Sequence, residues 1–152
     1  MPCTRRILSR WAAALAAACA AFSAADAQTL VSIKALAANM RTAPGKGSEV
    51  LWQLDRGYPL EVLERSGNWI QVRDFEGEQG WVAASTTGPA RHHVVRVRNA
   101  KLRAGPGDGY VMVGSAVYGQ VLATEFRGED WVRVRLAPGR QAWIARDLVW
   151  GW

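Results

Sequence analysis

The chain is poor in the side chains on which catalysis and metal binding most often depend. It contains two cysteines, Cys3 and Cys19, and two histidines, the neighbours His92 and His93. Both cysteines lie in residues 1–27, which we predict to be removed, so the mature chain has neither a disulfide nor a thiol nucleophile. Two adjacent histidines lack the third ligand of a metal site, and no nucleophile, base and orienting group can be singled out. We therefore expect no catalytic residues, no metal, no cofactor and no enzymatic activity.

Long hydrophobic runs are also scarce. The run Trp11–Phe22 is dominated by alanine and is shorter than the ~20 apolar residues of a transmembrane helix. It follows Arg5, Arg6 and Arg10, and it precedes Ala25-Asp26-Ala27, which has the small-x-small form of a secretory cleavage site. These features predict a cleaved secretory signal peptide over residues 1–27 and a periplasmic or secreted protein without a transmembrane segment.

The same segment has a competing interpretation as a lipoprotein signal. In Ala16-Ala17-Ala18-Cys19 the cysteine follows small residues, as it does where a lipid is attached. The position three residues before the cysteine, which usually holds a bulky aliphatic residue, is Ala16. We therefore do not expect lipid anchoring at Cys19.

Sustained helical periodicity is missing as well. Short alternating runs are separated by turn sequences such as Asp55-Arg56-Gly57 and Phe75-Glu76-Gly77, which favours an all-β chain. Strands of this length, too few for a sandwich, favour small barrels that close their own edges. The predicted strands are Glu49–Leu54, Pro59–Glu64, Asn68–Arg73, Gly80–Ala83, Val111–Ala116, Gln120–Phe126, Asp130–Arg135 and Ala142–Ala145.

What the chain does contain is an internal repeat. Shifted by 62 positions, Asn39–Ala83 aligns with Lys101–Ala145 without a gap, and 14 of the 45 columns are identical. The identical columns are mostly glycine, proline, arginine and tryptophan. A period of this length predicts two copies of one small fold, module one over residues 28–88 and module two over residues 94–152, with a linker over residues 89–93.

Charge is shared unevenly between the two halves. Residues 28–88 carry six Lys and Arg against seven Asp and Glu, whereas residues 89–152 carry ten against five. We interpret the excess either as attraction to anionic envelope material or as a solvated basic face, and an exported protein is not expected to bind nucleic acid. The cations nearest the linker are Arg91, Arg96, Arg98, Lys101 and Arg103, beside the two histidines.

The alternation within the strands assigns side chains to faces. Ile70 and Val72, with Val132 and Val134 in module two, share one face and should point into the core. Trp69 and Trp131 then point outward. The same rule places Val82 and Ile144 inside, and it places Gln71, Arg73, Arg133, Arg135, Trp81 and Trp143 outside. The outer tryptophans can either line a ligand groove or cover a loop, and a bulge would reverse the assignment.

The glycine-rich loops have mainly structural explanations. Pro44-Gly45-Lys46-Gly47 and Pro106-Gly107-Asp108-Gly109 supply fixed and positive φ angles, and they lack the Gly-Lys-Ser/Thr ending of a phosphate loop. Arg41 and Arg103 stand just before these loops. Each can either meet a ligand carboxylate or tie the loop to Glu or Asp.

These motifs resemble the bacterial SH3-like domain. In module one the match lies in Ala38–Gly45, Gly57, Gly67–Arg73 and Gly77–Val82. Module two repeats it over Leu102–Gly107, Gly119, Asp130–Arg135 and Gly139–Ile144, and departs at Lys101, where the family usually has Asn, and at Ala142, where it usually has Gly. The resemblance implies a strongly bent barrel of about five strands that binds peptidoglycan or its peptides; the name describes a fold, so function must come from the site.

A more distant resemblance to eukaryotic SH3 domains bears on the tryptophans. Trp69 and Trp81 fall at places similar to aromatic positions that line the peptide groove there. Ala83-Ala84-Ser85-Thr86 stands where the Pro-Ser-Asn-Tyr segment would be, and the acidic, tyrosine-rich start is missing. We therefore do not expect recognition of proline-rich peptides in that form.

Together these observations predict a tandem binding protein of the cell envelope. We expect it to recognise peptidoglycan or envelope peptides, and the alternative is an adaptor that binds another envelope protein. Leu148–Trp152, which has no apparent counterpart in module one, is expected to add a closing strand to module two or to form a contact patch. The predicted ligand-binding residues are Trp69, Trp131, Trp81, Trp143, Arg41, Arg103, Arg73 and Arg135.

Overall fold

The computed structural model describes residues 28–136 and 138–152. The predicted signal peptide and Cys19 lie outside these residues. Within the described part of the chain the regular structure is β-strand, with one short 3-10 helix in each module. Each module forms its own seven-stranded antiparallel sheet, so the all-β prediction is confirmed. No helix of this part is long and apolar enough to cross a membrane.

Module one has the strand order β3-β2-β6-β5-β4-β1-β7. Its middle is built from successive hairpins, and the first strand returns to lie between β4 and the last strand. A 3-10 helix at Ala84–Thr86 joins the last two strands. The strands are β1 Leu30–Ile33, β2 Ala37–Arg41, β3 Val50–Asp55, β4 Pro59–Ser66, β5 Trp69–Arg73, β6 Gln79–Ala83 and β7 Thr87–Gly88.

Module two repeats this topology in the order β10-β9-β13-β12-β11-β8-β14. Its 3-10 helix spans Arg146–Leu148. The strands are β8 His92–Val95, β9 Asn99–Arg103, β10 Met112–Val117, β11 Val121–Arg127, β12 Trp131–Arg135, β13 Gln141–Ala145 and β14 Val149–Gly151. The two histidines therefore lie in strand β8, and His93 is buried.

The prediction of closed barrels is wrong. In each sheet the two end strands, β3 and β7 or β10 and β14, pair with one neighbour only. Closure requires a continuous ladder around the axis. Strands β2 and β6 of module one are paired at one position, Arg41 opposite Trp81. Strands β9 and β13 of module two are likewise paired at one position, Arg103 opposite Trp143.

The eight predicted strands are all present, with ends displaced by no more than two residues. Strands β1, β2, β7, β8 and β9 were not predicted, because their runs are short and partly polar. The closing strand expected at the C-terminus exists as β14, which pairs with β8. The prediction that this strand has no counterpart in module one is wrong, because β7, Thr87–Gly88, pairs with β1 in the same way.

The two cores confirm the predicted faces. Ile70, Val72 and Val82 are fully buried in module one, as are Val132, Val134 and Ile144 in module two. The β5–β6 and β12–β13 ladders run without a register shift, so alternation holds along them. Bulges occur instead in the ladders that β4 and β11 form with β5 and β12.

The two modules contact each other. The Ser32 hydroxyl lies 3.1 Å from Nδ1 of His92. The Tyr118 hydroxyl donates to the Glu76 carboxylate, and the Tyr118 ring packs on Phe75 with centroids 5.4 Å apart. The first contact joins β1 to β8, and the contacts of Tyr118 join the loop after β5 to the turn after β10.

Candidate ligand groove beside Trp131

Two outward tryptophans begin equivalent strands. Trp69 is the first residue of β5 and Trp131 the first of β12, and both are half-buried. Each lies opposite an alanine of the next strand, Ala83 or Ala145. The equivalent hairpins therefore present a tryptophan edge at the same corner of each module.

Two cavities border Trp131. The larger is a groove of about 850 Å³ that runs between the β11–β12 turn, the 3-10 helix and strand β14, with Trp150 on its far side. The smaller, about 240 Å³, is lined by Trp131 together with Lys101, Arg103 and Leu148. The structure thus brings together two of the residues predicted from sequence, Trp131 and Arg103.

The loop arginines hold their loops. Nη1 of Arg41 donates to the carbonyl oxygen of Ser48 at 2.6 Å, and Nη1 of Arg103 donates to the carbonyl oxygen of Tyr110 at 2.9 Å. Nη2 of Arg103 also lies 3.4 Å from the Asp108 carboxylate. Each guanidinium has five N–H donors, so donors are left over for a ligand.

The strand arginines are held by carboxylates of the neighbouring strand. Arg73 donates from Nε and Nη2 to one oxygen of Glu61, at 2.8 and 2.6 Å. Arg135 donates from Nε to Glu125 at 2.8 Å, and Arg133 lies 3.6 Å from the other oxygen of Glu125. These pairs fix the arginine stems on the outer face, although all three arginine side chains keep substantial exposure.

The carboxylate in module two comes from a different position. Arg73 lies opposite Glu61, whereas Arg135 lies opposite Ala123. Glu125 stands where the register of β11 shifts, between Thr124 and Phe126, so the bulge turns its side chain to the outer face. The aligned sequences show Ala123 in place of Glu61 and Glu125 in place of Leu63, but they do not show that Glu125 faces the arginines, because a bulge leaves no reliable sequence signal.

Trp143 is packed against its own module. Its ring meets Phe126 edge-on with centroids 6.0 Å apart, and the Arg133 guanidinium lies 5.7 Å from its centroid. Trp81 is half-buried and lies opposite Gln71. Ligand binding by Trp81 and Trp143, as by the other predicted residues, stays a prediction.

A buried histidine, His93, lines the groove. His93 shares a hydrogen bond of 2.6 Å between its Nδ1 and the Thr124 hydroxyl. Burial, together with the positive charges of Arg127 and Arg146, lowers the pKa of His93 from its ordinary value of 6.5 to about 4. Burial and Arg146 also lower the pKa of Arg127. At neutral pH the groove is therefore lined by an uncharged His93 together with the guanidinium groups of Arg127 and Arg146.

Sequence reasoning missed three residues of this groove: Arg127, Arg146 and Trp150. The last two stand where the copies differ, opposite Ala84 and Gly88 in module one. Positions that differ between the two copies carry no signal in the internal repeat. No three His, Cys, Asp or Glu side chains within residues 28–136 and 138–152 are grouped so as to hold a metal ion.

Comparison with known families agrees with the repeat. Residues 34–88 and 96–151 each match the bacterial SH3 domain family. The predicted resemblance is confirmed for both modules.

Curated relatives match parts of the chain. A Bacillus subtilis protein named as an N-acetylmuramoyl-L-alanine amidase, YrvJ, is 23% identical over 122 residues, which are 73% of this chain and 23% of that protein. A Staphylococcus epidermidis protein named as a cell wall amidase, LytH, is 36% identical over 47 residues, 30% of this chain and 16% of that protein. The chain thus spans less than a quarter of the length of these relatives.

Two solved structures align with most of this chain at low identity and low TM-score. An NlpC/P60 family protein from Bacillus cereus has a TM-score of 0.39 at 16% identity, covering 80% of this chain and 56% of that one. NlpC1 from Trichomonas vaginalis has a TM-score of 0.38 at 14% identity, covering 84% and 47%.

The expectation that the protein has no enzymatic activity is contradicted. It rested on the scarcity of catalytic side chains in the sequence. The relatives that match the chain are named as cell wall amidases, at low identity and over part of their length. The scarcity of such side chains in these two modules therefore does not exclude enzymatic relatives.

Proposed function

We propose that this chain, which belongs to the bacterial SH3 domain family in both of its modules, binds cell-wall peptidoglycan or its peptides outside the cytoplasm. The observation that carries the proposal is the position of Trp131, whose ring borders both cavities of module two. Half-buried aromatic rings at the edge of a groove offer a large contact area with little conformational entropy to lose.

The proposed mechanism combines stacking with charge. Trp131, and Trp69 at the equivalent corner of module one, would stack on the apolar parts of a wall peptide. Arg103 at the smaller cavity would donate its remaining N–H groups to a carboxylate, and Arg41 would do so in module one. Arg73 and Arg135 would add contacts along the outer face.

Two such modules on one chain would favour a polymeric ligand. Each weak contact raises the effective concentration of the ligand at the other module, provided that both sites are reachable together. The contacts between Ser32 and His92 and between Glu76 and Tyr118 restrict the relative motion of the modules, which lowers the entropy lost when both bind.

The names of the relatives support a role at the cell wall. A protein named as an N-acetylmuramoyl-L-alanine amidase aligns over 122 residues of this chain and one named as a cell wall amidase aligns over 47, and the predicted signal peptide would take this chain out of the cytoplasm. The proposed location is therefore the periplasm or the exterior.

The second candidate function is an adaptor for another envelope protein. One observation favours it: strand β3, at the edge of its sheet, exposes Val50, Leu51 and Trp52. Exposed apolar side chains on an edge strand can pair with an extended segment of a partner.

Co-sedimentation of the purified protein with isolated peptidoglycan sacculi across a salt series tests the proposal. We expect retention above about 0.5 M salt, where exposed charge interactions are screened. Trp131→Ala should weaken retention, and the double change with Trp69→Ala should weaken it further, in variants whose circular dichroism is unchanged. Loss of all retention at high salt would reduce the effect to attraction by basic side chains. No retention at low salt would favour the adaptor.

A further inference from the structure

The groove of module two carries charges of both signs. Arg96, Arg127 and Arg146 line it on the cationic side. The acidic side chains that line it are Asp108, Glu129, Asp130 and Asp147. The Asp108 carboxylate lies 3.4 Å from Nη2 of Arg103. Three acidic and three basic side chains then remain to contact a ligand.

The equivalent positions of module one carry one sign only. Applying the repeat of 62 residues, cations stand opposite Arg96, Asp108 and Arg127, and uncharged residues stand opposite the rest. Trp150 is likewise replaced by glycine. The counterparts are Lys34, Lys46, Arg65, Ala84, Gly67, Asn68, Ser85 and Gly88.

We infer that the groove of module two binds a short zwitterionic peptide, with a peptide carboxylate between Arg127 and Arg146 and a peptide ammonium group at Glu129, Asp130 or Asp147. Module one lacks the second arginine and the acidic side chains at its equivalent corner, so it binds the free peptide far more weakly, and its Trp69 contact contributes when the wall polymer holds ligand against both modules. The inference rests on the proposed function, because it names the wall component that one of the two modules recognises.

The two arginines form the carboxylate end of the site. Arg127 and Arg146 both line the groove that His93 also lines. Neither forms an ion pair with a carboxylate among the described residues, and Arg146 donates to the backbone carbonyl of Glu129 at 3.1 Å. Two neighbouring cations repel each other, so a carboxylate bridging them relieves that repulsion while it accepts charge-assisted hydrogen bonds.

The acidic side chains of the groove disfavour the binding of a polyanion. Module two has the larger positive charge overall, yet its groove has no free excess of cations to attract a phosphate polymer. A ligand with both signs can satisfy both sides of the groove. The rings of Trp131 and Trp150 then lie against its aliphatic parts, and the neutral His93 adds no further charge at pH 7.

The test uses the tetrapeptide L-Ala-γ-D-Glu-L-Lys-D-Ala, titrated into the full chain and followed by the indole N–H signals of the tryptophans in NMR. We expect the signals of Trp131 and Trp150 to shift and that of Trp69 to stay. Acetylation of the peptide amines, or amidation of its carboxyl groups, should each weaken binding by about tenfold, as the loss of one charge-assisted contact does.

The variants are Arg127→Gln and Arg146→Gln, each expected to weaken peptide binding by about tenfold. Arg65→Gln, the equivalent of Arg127 in module one, is the matched control and should leave the affinity unchanged. The inference is overturned if the tetrapeptide does not bind, if blocked and unblocked peptides bind alike, or if polyphosphate displaces the peptide. In each of those cases salt-resistant retention on sacculi would leave the proposed function standing, whereas its loss would remove that function as well.

Discussion

Met40 lies directly against the open face of Gly80. A Cβ atom placed on Gly80 would be 2.5 Å from Cγ of Met40 and 3.0 Å from the carbonyl oxygen of Arg41. In module two the same two positions are Leu102 and Ala142, both buried. The departure of Ala142 from the family pattern is therefore matched by a change in the neighbouring strand, since leucine replaces the longer methionine.

Gly80→Ala should destabilise module one. The added methyl group meets a close-packed neighbour, and overpacking of this kind lowers the free energy of unfolding by roughly 1–3 kcal/mol. Chemical denaturation followed by tryptophan fluorescence measures the change. Adding Met40→Leu should restore at least half of the loss, because it recreates the pair of module two. If the double variant is no more stable than Gly80→Ala alone, the packing explanation is incorrect.

Arg73→Gln should cost more stability than Arg135→Gln. The Glu61 side chain is only 10% exposed and has Arg73 as its partner, so it would be left buried and unpaired. Glu125 would keep Arg133 at 3.6 Å. Because both arginines are partly exposed, we expect about 1–2 kcal/mol for Arg73→Gln and under about 1 kcal/mol for Arg135→Gln. Denaturation midpoints compare the two, and equal losses would contradict the assignment.

Stability should fall as pH falls between about 6.5 and 4, partly because of His93. Its pKa is about 4 in the folded protein and near 6.5 when unfolded, so in this range the unfolded chain binds the extra proton. The neutral ring's contribution is complete above pH 6.5 and is lost as the pH falls towards 4, amounting to no more than about 3 kcal/mol.

Comparing the unfolding free energy of the wild type with that of His93→Gln at pH 4 to 7 isolates this contribution from the carboxylates. The difference between the two proteins should grow with pH over this range. An NMR titration of the His93 ring in the wild type provides the check that needs no variant. A ring that protonates near pH 6.5 would contradict the prediction.

Tyr118→Ala should loosen the two modules without unfolding either. The change removes both the hydrogen bond to Glu76 and the ring packing on Phe75. Backbone amide relaxation should then report faster, more independent tumbling of each module. Val117→Ala, which alters an equally exposed neighbour outside that contact, is the control and should leave the tumbling unchanged. Independent tumbling already in the wild type would contradict a role for the contact.

Much of the fold could be predicted because its signals are local. Alternation in Trp69–Arg73 and Trp131–Arg135 identified the buried faces, and the glycines at the turns marked the strand ends. The two missed strands at the start of each module were less visible, since they are short and partly polar. The lack of barrel closure could not be predicted either, because it depends on whether the two end strands meet.

The sequence by itself determined that the chain consists of two equivalent modules and which side chains form their cores. Repetition and alternation are properties of residue order, so they can be recognised without coordinates. The tertiary structure alone decided which side chains and which charges line the groove beside Trp131. Arg127, Trp131, Arg146 and Trp150 come from the end of β11, the start of β12, the 3-10 helix and β14, and they share one groove because β12, β11, β8 and β14 are consecutive neighbours in the sheet.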